Sequence, residues 1–589
     1  AKLHYGSGKL DADASGLYAD WTLDTVELLS NASGGFHVEE SGTITAVVSG
    51  SGDVTFTGED AVVTIAGSGD NTYTGATFVT SGAQLTLGKD EALGDTNRLD
   101  VDSGASVAFG EYAQTIGELH VGASGRFTMS ESGSLTLASG GSLIASANAE
   151  AAGNLIVSTG ATLELRGNGA AGSLSLEAKD DASISFTQAG SADGYETVAN
   201  VLRGSGTYIV GDGTKSAYVE LTNSGNAFGA LKVLNAGHFL VNGMESGANA
   251  LGGADLTVAS GAYAELNGSS GWKFDNVLDI DEGGELALSA GGSGNAFNFA
   301  ETNQRIDGTV TLTDLMLTIG GASGSDNAAV LDSASVVAGS NSHVHVALGN
   351  VADDRQQVKD FTLSSGAEIT FDGQLGMSGV GANVLGQMDV SGTLTLDSGS
   401  TVHVSVDPNT GASSTVAQDR LVETAASGSF QNLITAGAID GSAVSDDGTV
   451  TGIGLTDSSG NALQTVRADI KNGSDTVAVG TFGSSLLVSG SSFGVRYGLQ
   501  AIDIVGDLTI SESGSFSAKI SSTSGTGSLT VSAGENLTLT GENDYTVATM
   551  VTGILTADKK ALGNTKSLTI SNGGQFINAG ANEVGELES

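Results

Sequence analysis

The chain has 589 residues, with 22 Lys+Arg against 67 Asp+Glu and a formal net charge of −45. Nucleic acid and anionic lipid are disfavoured as partners, because binding a polyanion needs a basic stripe and no window of the sequence supplies one. With 89 Gly, one Pro and no Cys, the composition excludes collagen-like and Pro-rich chains, a disulfide framework, a thiolate nucleophile and a zinc–cysteine centre.

The 39% of apolar residues fall in short alternating runs, so a folded chain is expected. No run of 18 apolar residues occurs, and Ala1-Lys2-Leu3-His4-Tyr5 lacks the basic and apolar regions of a signal peptide. The absence of Cys in an acidic, Ser/Thr/Gly-rich chain fits an exported protein.

Residues 1–40 carry Leu17, Tyr18, Trp21, Leu23, Val26, Leu28 and Leu29 but none of the turn units found downstream. They are read as an N-terminal cap that blocks an exposed strand edge. From 41 to 406 a period of two dominates. Leu85-Thr86-Leu87, Leu135-Thr136-Leu137, Leu163-Glu164-Leu165 and Leu394-Thr395-Leu396 each place two apolar side chains on one face and a polar one on the other. Ser-Gly-small units punctuate these strands, as at Ser81-Gly82-Ala83, Ser103-Gly104-Ala105 and Ser260-Gly261-Ala262, and Gly makes each one a turn.

Gly82, Gly104 and Gly125 lie 22 and 21 residues apart. That interval is too long for a hairpin, and no helical pattern fills it to make a βαβ unit. Coils of 20–25 residues built from short strands and Gly turns predict an all-β fold, a parallel β-helix or β-solenoid with about 27 coils. Residues 407–500 break the rhythm at Asp407-Pro408-Asn409, include a candidate short helix from Val416 to Ala425, and are read as an insertion or irregular coils. Coils resume over 501–589, from about Asp503-Ile504-Val505.

A longer repeat runs through the same frame. Gly69-Asp70-Asn71-Thr72-Tyr73-Thr74 leads to Ala92-Leu93-Gly94 and then to Leu99-Asp100-Val101. Gly225-Asn226-Ala227-Phe228 leads to Ala250-Leu251-Gly252 and Leu256-Thr257-Val258, and Gly541-Glu542-Asn543-Asp544-Tyr545-Thr546 leads to Ala561-Leu562-Gly563 and Leu568-Thr569-Ile570. These three copies resemble the passenger-associated repeat of bacterial autotransporters, most fully at Gly69 to Gly94. Val547 departs from the pattern in place of Gly75, and Phe228 departs from it in place of Tyr.

The resemblance implies a right-handed β-helix, display on the bacterial cell surface, and an outer-membrane β-barrel translocator downstream. No barrel lies within these residues. The chain stops inside a repeat at Glu583-Val584-Gly585-Glu586-Leu587, which corresponds to Thr115-Ile116-Gly117-Glu118-Leu119. A passenger truncated before its translocator is therefore expected. Similarity to AIDA-type self-associating adhesins implies binding between identical passengers on neighbouring cells, with aggregation and biofilm growth. A host-cell or extracellular-matrix ligand is the alternative partner. No local motif marks the contact, so geometry supplies the candidates: Asp70, Asn71 and Thr72, followed one coil later by Asp95, Thr96 and Asn97, would project from one edge as an outward polar ladder.

No enzyme activity and no cofactor are expected. Asp397-Ser398-Gly399-Ser400 resembles a serine-protease nucleophile motif but has Leu396 at the first Gly position and reads as a turn. Asp180-Asp181, Asp353-Asp354 and Asp446-Asp447 with Gly237-His238-Phe239 partly match the carboxylates and histidine of pectin-type hydrolases, yet their spacing favours solvated loop charge. His343-Val344-His345 sets two imidazoles on one strand face as a zinc pair would need, without a nameable third ligand, and an outward polar pair is preferred. Ala66 to Tyr73 resembles one calcium-binding nonapeptide without its tandem copy, and a plain turn is preferred.

Overall fold

The computed structural model describes residues 1–588 apart from 6–8, 14–15, 21, 31–34, 145–150, 245–249, 269–272, 275–276, 292–295, 300–303, 320–330, 347–355, 377–383, 408–414, 427–428, 447 and 572. Strand makes up 56% and helix 2%, and parallel coils stack into a β-solenoid of about 22 turns. The coils are fewer than the 27 expected because they do not keep one length. Val63 pairs with Leu85 and Leu85 with Val107, but Ile369 pairs with Val402 and Leu394 with Ile439. Two compact units divide the chain, residues 1–316 with 333–335 and residues 317–332 with 336–589.

In the first unit, alternation within each strand becomes a ladder between strands. Gln84–Leu87 buries Leu85 and Leu87 and leaves Thr86 half-exposed. Parallel register stacks Val63, Leu85, Val107 and Phe127, and Leu135, Leu155, Leu176 and Leu202 form a second ladder. All eight are buried. The inward side of every coil is thus closed by the coil on each side of it, and a coil alone could not bury its apolar face.

Glycine serves this stack in two physically different ways. Gly104 adopts φ 84° in an open turn where an added Cβ would meet nothing within 4 Å, so its requirement is conformational. Gly117 has an ordinary φ, but a Cβ there would lie 2.0 Å from the Asn97 carbonyl oxygen of the preceding coil. Its requirement is the close approach of two backbones.

Coil stacking begins earlier than the expected boundary at residue 41. Leu23–Leu28 pairs parallel with Val47–Gly50, and Phe36–Val38 pairs parallel with Val54–Phe56. The edge is met by Lys2–Tyr5, which runs antiparallel to Leu23–Leu28, and Lys9–Asp13 forms a hairpin with Gly16–Asp20. Val26 and Leu28 are buried; Trp21 and the side chains of Leu17 and Tyr18 lie outside the described residues.

In the second unit, His343–Val346, Glu368–Gly376, Thr401–Asp407 and Gly454–Thr456 stack parallel as one sheet. The helix expected near 416–425 is present as a 3-10 turn, Gln418–Arg420, followed by an α-helix, Leu421–Ala426. Beyond this helix, four long strands of the irregular segment form an antiparallel meander. Ser429–Asp440 pairs with Ser492–Ile504, which pairs with Asp475–Ser489, which pairs with Val466–Asn472. Met388–Leu396 pairs parallel with the first of these strands and Lys519–Ser521 with the second, so the meander is built into the stack.

Candidate functional site

The repeat resolves into a set of internal bonds. Asn71 is 5% exposed; its Oδ1 accepts from the Val48 N–H at 2.8 Å, and its Nδ2 donates to the Ala92 carbonyl at 2.6 Å. One side chain thereby ties its own coil to the coil before and the coil after. Asn226 does the same between the Leu202 N–H (2.9 Å) and the Ala250 carbonyl (2.7 Å), and Asn543 between the Ile520 N–H (2.7 Å) and the Ala561 carbonyl (2.5 Å).

A hydroxyl chain accompanies the clamp. Tyr73 Oη, Thr77 Oγ1 and Thr96 Oγ1 are linked at 2.8 and 3.0 Å, and Thr96 donates to the Gly75 carbonyl at 2.6 Å. Tyr545, Thr549, Thr565 and the Val547 carbonyl repeat it at 3.1, 2.9 and 2.8 Å. Burial pushes both tyrosine hydroxyls far above the ordinary phenol range, so they remain neutral donors. Where Phe228 replaces the tyrosine, Tyr208 packs edge-on against it at 4.9 Å and sends its hydroxyl to the Leu176 carbonyl at 2.8 Å.

This geometry corrects the expected outward ladder. Asp70, Thr72, Asp95 and Asn97 are exposed, but Asn71 and Thr96 are buried and face inward. The reason is that a coil corner leaves backbone N–H and C=O groups without strand partners, and a polar side chain turned inward satisfies them. Within the Ala66 to Tyr73 segment, the Gly69 carbonyl accepts from Lys89 Nζ.

His343 and His345 lie on one outward strand face, as expected, but they do not act as a pair. His345 Nε2 bonds Asp372 Oδ1 at 2.5 Å. His343 joins two residues from the next coils: its Nδ1 lies 3.9 Å from Glu368 Oε2, and His403 Nε2 lies 3.4 Å from the same oxygen. Among the described residues, His343, Glu368 and His403 form a metal-capable group whose ligand atoms all lie within 4.8 Å of one another. Burial first, opposed by Glu368, holds the His343 imidazole below the ordinary histidine range. Glu368 and His403 carried no sequence signal, because they stand 25 and 60 residues beyond His343 on coils of unequal length.

The remaining candidates have the following surroundings where they can be described. Ser400 Oγ donates to the Asp397 carbonyl at 2.8 Å, Asp397 Oδ1 accepts from Ser442 Oγ at 3.1 Å, and Gly399 has φ 91°, which is a turn stacked on a turn. Asp180 accepts from Ser205 Oγ one coil on, and Asp181 is a positive-φ turn residue. Asp353, Asp354 and Asp447 lie outside the described residues. His238 stacks on Tyr218 with ring centroids 4.2 Å apart and planes at 7°, and leans on Tyr263 at 5.8 Å. Beside this aromatic row, Asn267 Nδ2 reaches both Glu265 Oε1 (2.7 Å) and Asn242 Oδ1 (2.9 Å).

No family model matches the sequence, and no curated protein matches it.

Proposed function

We propose that the chain is a surface-displayed adhesin of the autotransporter-passenger kind, held at the bacterial surface by an outer-membrane β-barrel, which joins identical passengers on neighbouring cells in aggregates and biofilm. The observation that supports it most is the division of labour in the repeat. Its inward Asn, Tyr and Thr hold the coils together, while Asp70, Thr72, Asp95 and Asn97 stay exposed one coil apart along the same edge. A partner chain laid along that edge would make many weak polar contacts that add up over successive coils.

The test uses cells that display the passenger. Replacing Asp70, Thr72, Asp95 and Asn97 together with Ser or Gly should abolish clumping with the thermal transition unchanged. Clumping that survives in the folded variant places the contact elsewhere.

A host or matrix ligand is the second reading, and the row Tyr218, His238 and Tyr263 favours it. Flat rings beside Glu265, Asn242 and Asn267 offer the apolar faces and directed polar groups that a saccharide requires. Glycan binding lost on Tyr218→Ala and Tyr263→Ala, with clumping intact, would select this reading.

A further inference from the structure

We propose that His343, Glu368 and His403 bind one zinc ion, held across three successive coils of the second unit. The site needs no rearrangement of the backbone. His343–Val346, Glu368–Gly376 and Thr401–Asp407 are neighbouring parallel strands in which His343 stands opposite Glu368, and Thr370 opposite His403. All three ligands therefore point from the same sheet face, with Glu368 between the two imidazoles.

Distances fit the ion. Zn–N and Zn–O bonds of about 2.0–2.1 Å in a tetrahedron place ligand atoms about 3.3–3.4 Å apart. His403 Nε2 and Glu368 Oε2 are 3.4 Å apart, and His343 Nδ1 stands 3.9 Å from the same oxygen. The third pair, His343 Nδ1 and His403 Nε2, lies within 4.8 Å, so side-chain shifts of up to about an ångström close the set.

The outer partners fix which nitrogen is offered. His403 Nδ1 lies 2.7 Å from Thr456 Oγ1 and 3.3 Å from the Asp457 carbonyl; a carbonyl can only accept, so Nδ1 carries a proton, and the neutral ring offers its lone pair at Nε2. His343 Nε2 is likewise engaged by Thr370 Oγ1 at 2.7 Å, which leaves Nδ1 toward Glu368. A metal-bound histidine is ordinarily held through its other nitrogen in this way.

The independent sign of a ligand is His403 Nε2 itself. His403 is nine-tenths buried, and among the described residues this nitrogen has no hydrogen-bond partner although it faces a carboxylate oxygen. A lone pair and a carboxylate held at 3.4 Å repel unless a proton or a metal ion lies between them, and the contact lacks the geometry of a hydrogen bond. Two imidazoles and one carboxylate select zinc over calcium or magnesium, which prefer all-oxygen sets. Glu368 is partly exposed, and this side leaves the fourth position open to water.

The experiment uses the full chain, stripped with a chelator and titrated calorimetrically with Zn(II) in excess Mg(II), which occupies the diffuse acidic surface. One ion per chain is expected, and Co(II) in its place should give the intense visible absorption of a four-coordinate centre. His403→Gln and Glu368→Gln should each weaken binding at least about 100-fold, and Thr456→Val, which loses an outer partner, about 10–100-fold. His345→Asn, which breaks the bond to Asp372, should leave affinity unchanged. Absence of a stoichiometric site in the unaltered chain overturns the proposal. A site that survives in the His403→Gln/Glu368→Gln double variant, with its circular dichroism unaltered, overturns it equally.

Discussion

Replacing Asn71 with Ala should damage the stack far more than its place in a turn suggests. The side chain satisfies two buried backbone groups on two other coils, the Val48 N–H and the Ala92 carbonyl. Alanine orphans both, and each unsatisfied buried group costs about 1–3 kcal/mol, so the loss should be about 2–6 kcal/mol. In a solenoid each coil couples mainly to its neighbours, so the loss should be local. Amide exchange at Val48 should therefore accelerate between about 30-fold and about 20,000-fold, since 1.4 kcal/mol is a factor of ten.

Asn71→Asp separates the two bonds. It keeps the acceptor for Val48 but turns a carboxylate toward the Ala92 carbonyl, so it should be destabilising at pH 7 and partly rescued when protonated. Thr72→Ala, one residue away and exposed, should change stability by less than about 0.5 kcal/mol. If exchange at Val48 in Asn71→Ala matches that in Thr72→Ala, the clamp contributes nothing and the structural account of the repeat is wrong.

Tyr545→Phe should cost only about 0.5–1.5 kcal/mol in denaturant unfolding, because Thr549 keeps its bond to Thr565. Leu135→Ala should cost about 2–5 kcal/mol, since the side chain is fully buried between neighbouring coils. Gly117→Ala should lower the melting temperature more than Gly104→Ala, the first forcing two backbones apart and the second straining only one open turn. His238 titrates in the direction set by burial between Tyr218 and Tyr263: its pKa is lower folded than unfolded. Its contribution is then intact above about pH 6.5 and is lost as pH falls below that value, because the unfolded chain takes up the proton first; His238→Phe should flatten the melting-temperature profile between pH 7.5 and 5.5. Two chains at −45 repel, so clumping of displaying cells should strengthen from very low to about 0.15 M salt, where the screening length is about 8 Å; a steady loss over that range would indicate attractive ion pairs.

The ladders were legible because burial in a strand has period two, and Leu-Thr-Leu states which face is inward. Asn71 and Thr96 were misread because polarity was equated with exposure. That equation holds within strands and fails at coil corners, where the backbone itself needs polar partners. The meander carried a readable sign, Gly473-Ser474 between Val466–Asn472 and Asp475–Ser489, with Gly473 at φ 61°. Gly-Ser as a two-residue loop between strand-like runs is a hairpin signal. The histidine cluster had no comparable sign. Its members meet only through stacking register, and the coils between them differ in length, so no fixed period connects them.

The meander also bears on the order in which the chain can acquire structure. Ordinary coils can be added singly, each needing only the twenty or so residues that have just become available and the finished coil beneath. Ser429–Asp440 cannot be completed in that way. Tyr497 lies opposite Ser429, and Val495 opposite Gln431, so this strand waits for partners more than sixty residues further along. Closing that span is entropically dearer and slower than closing one coil. Growth of the second unit from either direction should therefore halt at this segment, with an unpaired strand edge exposed, until residues 429 to 504 are all present and fold together.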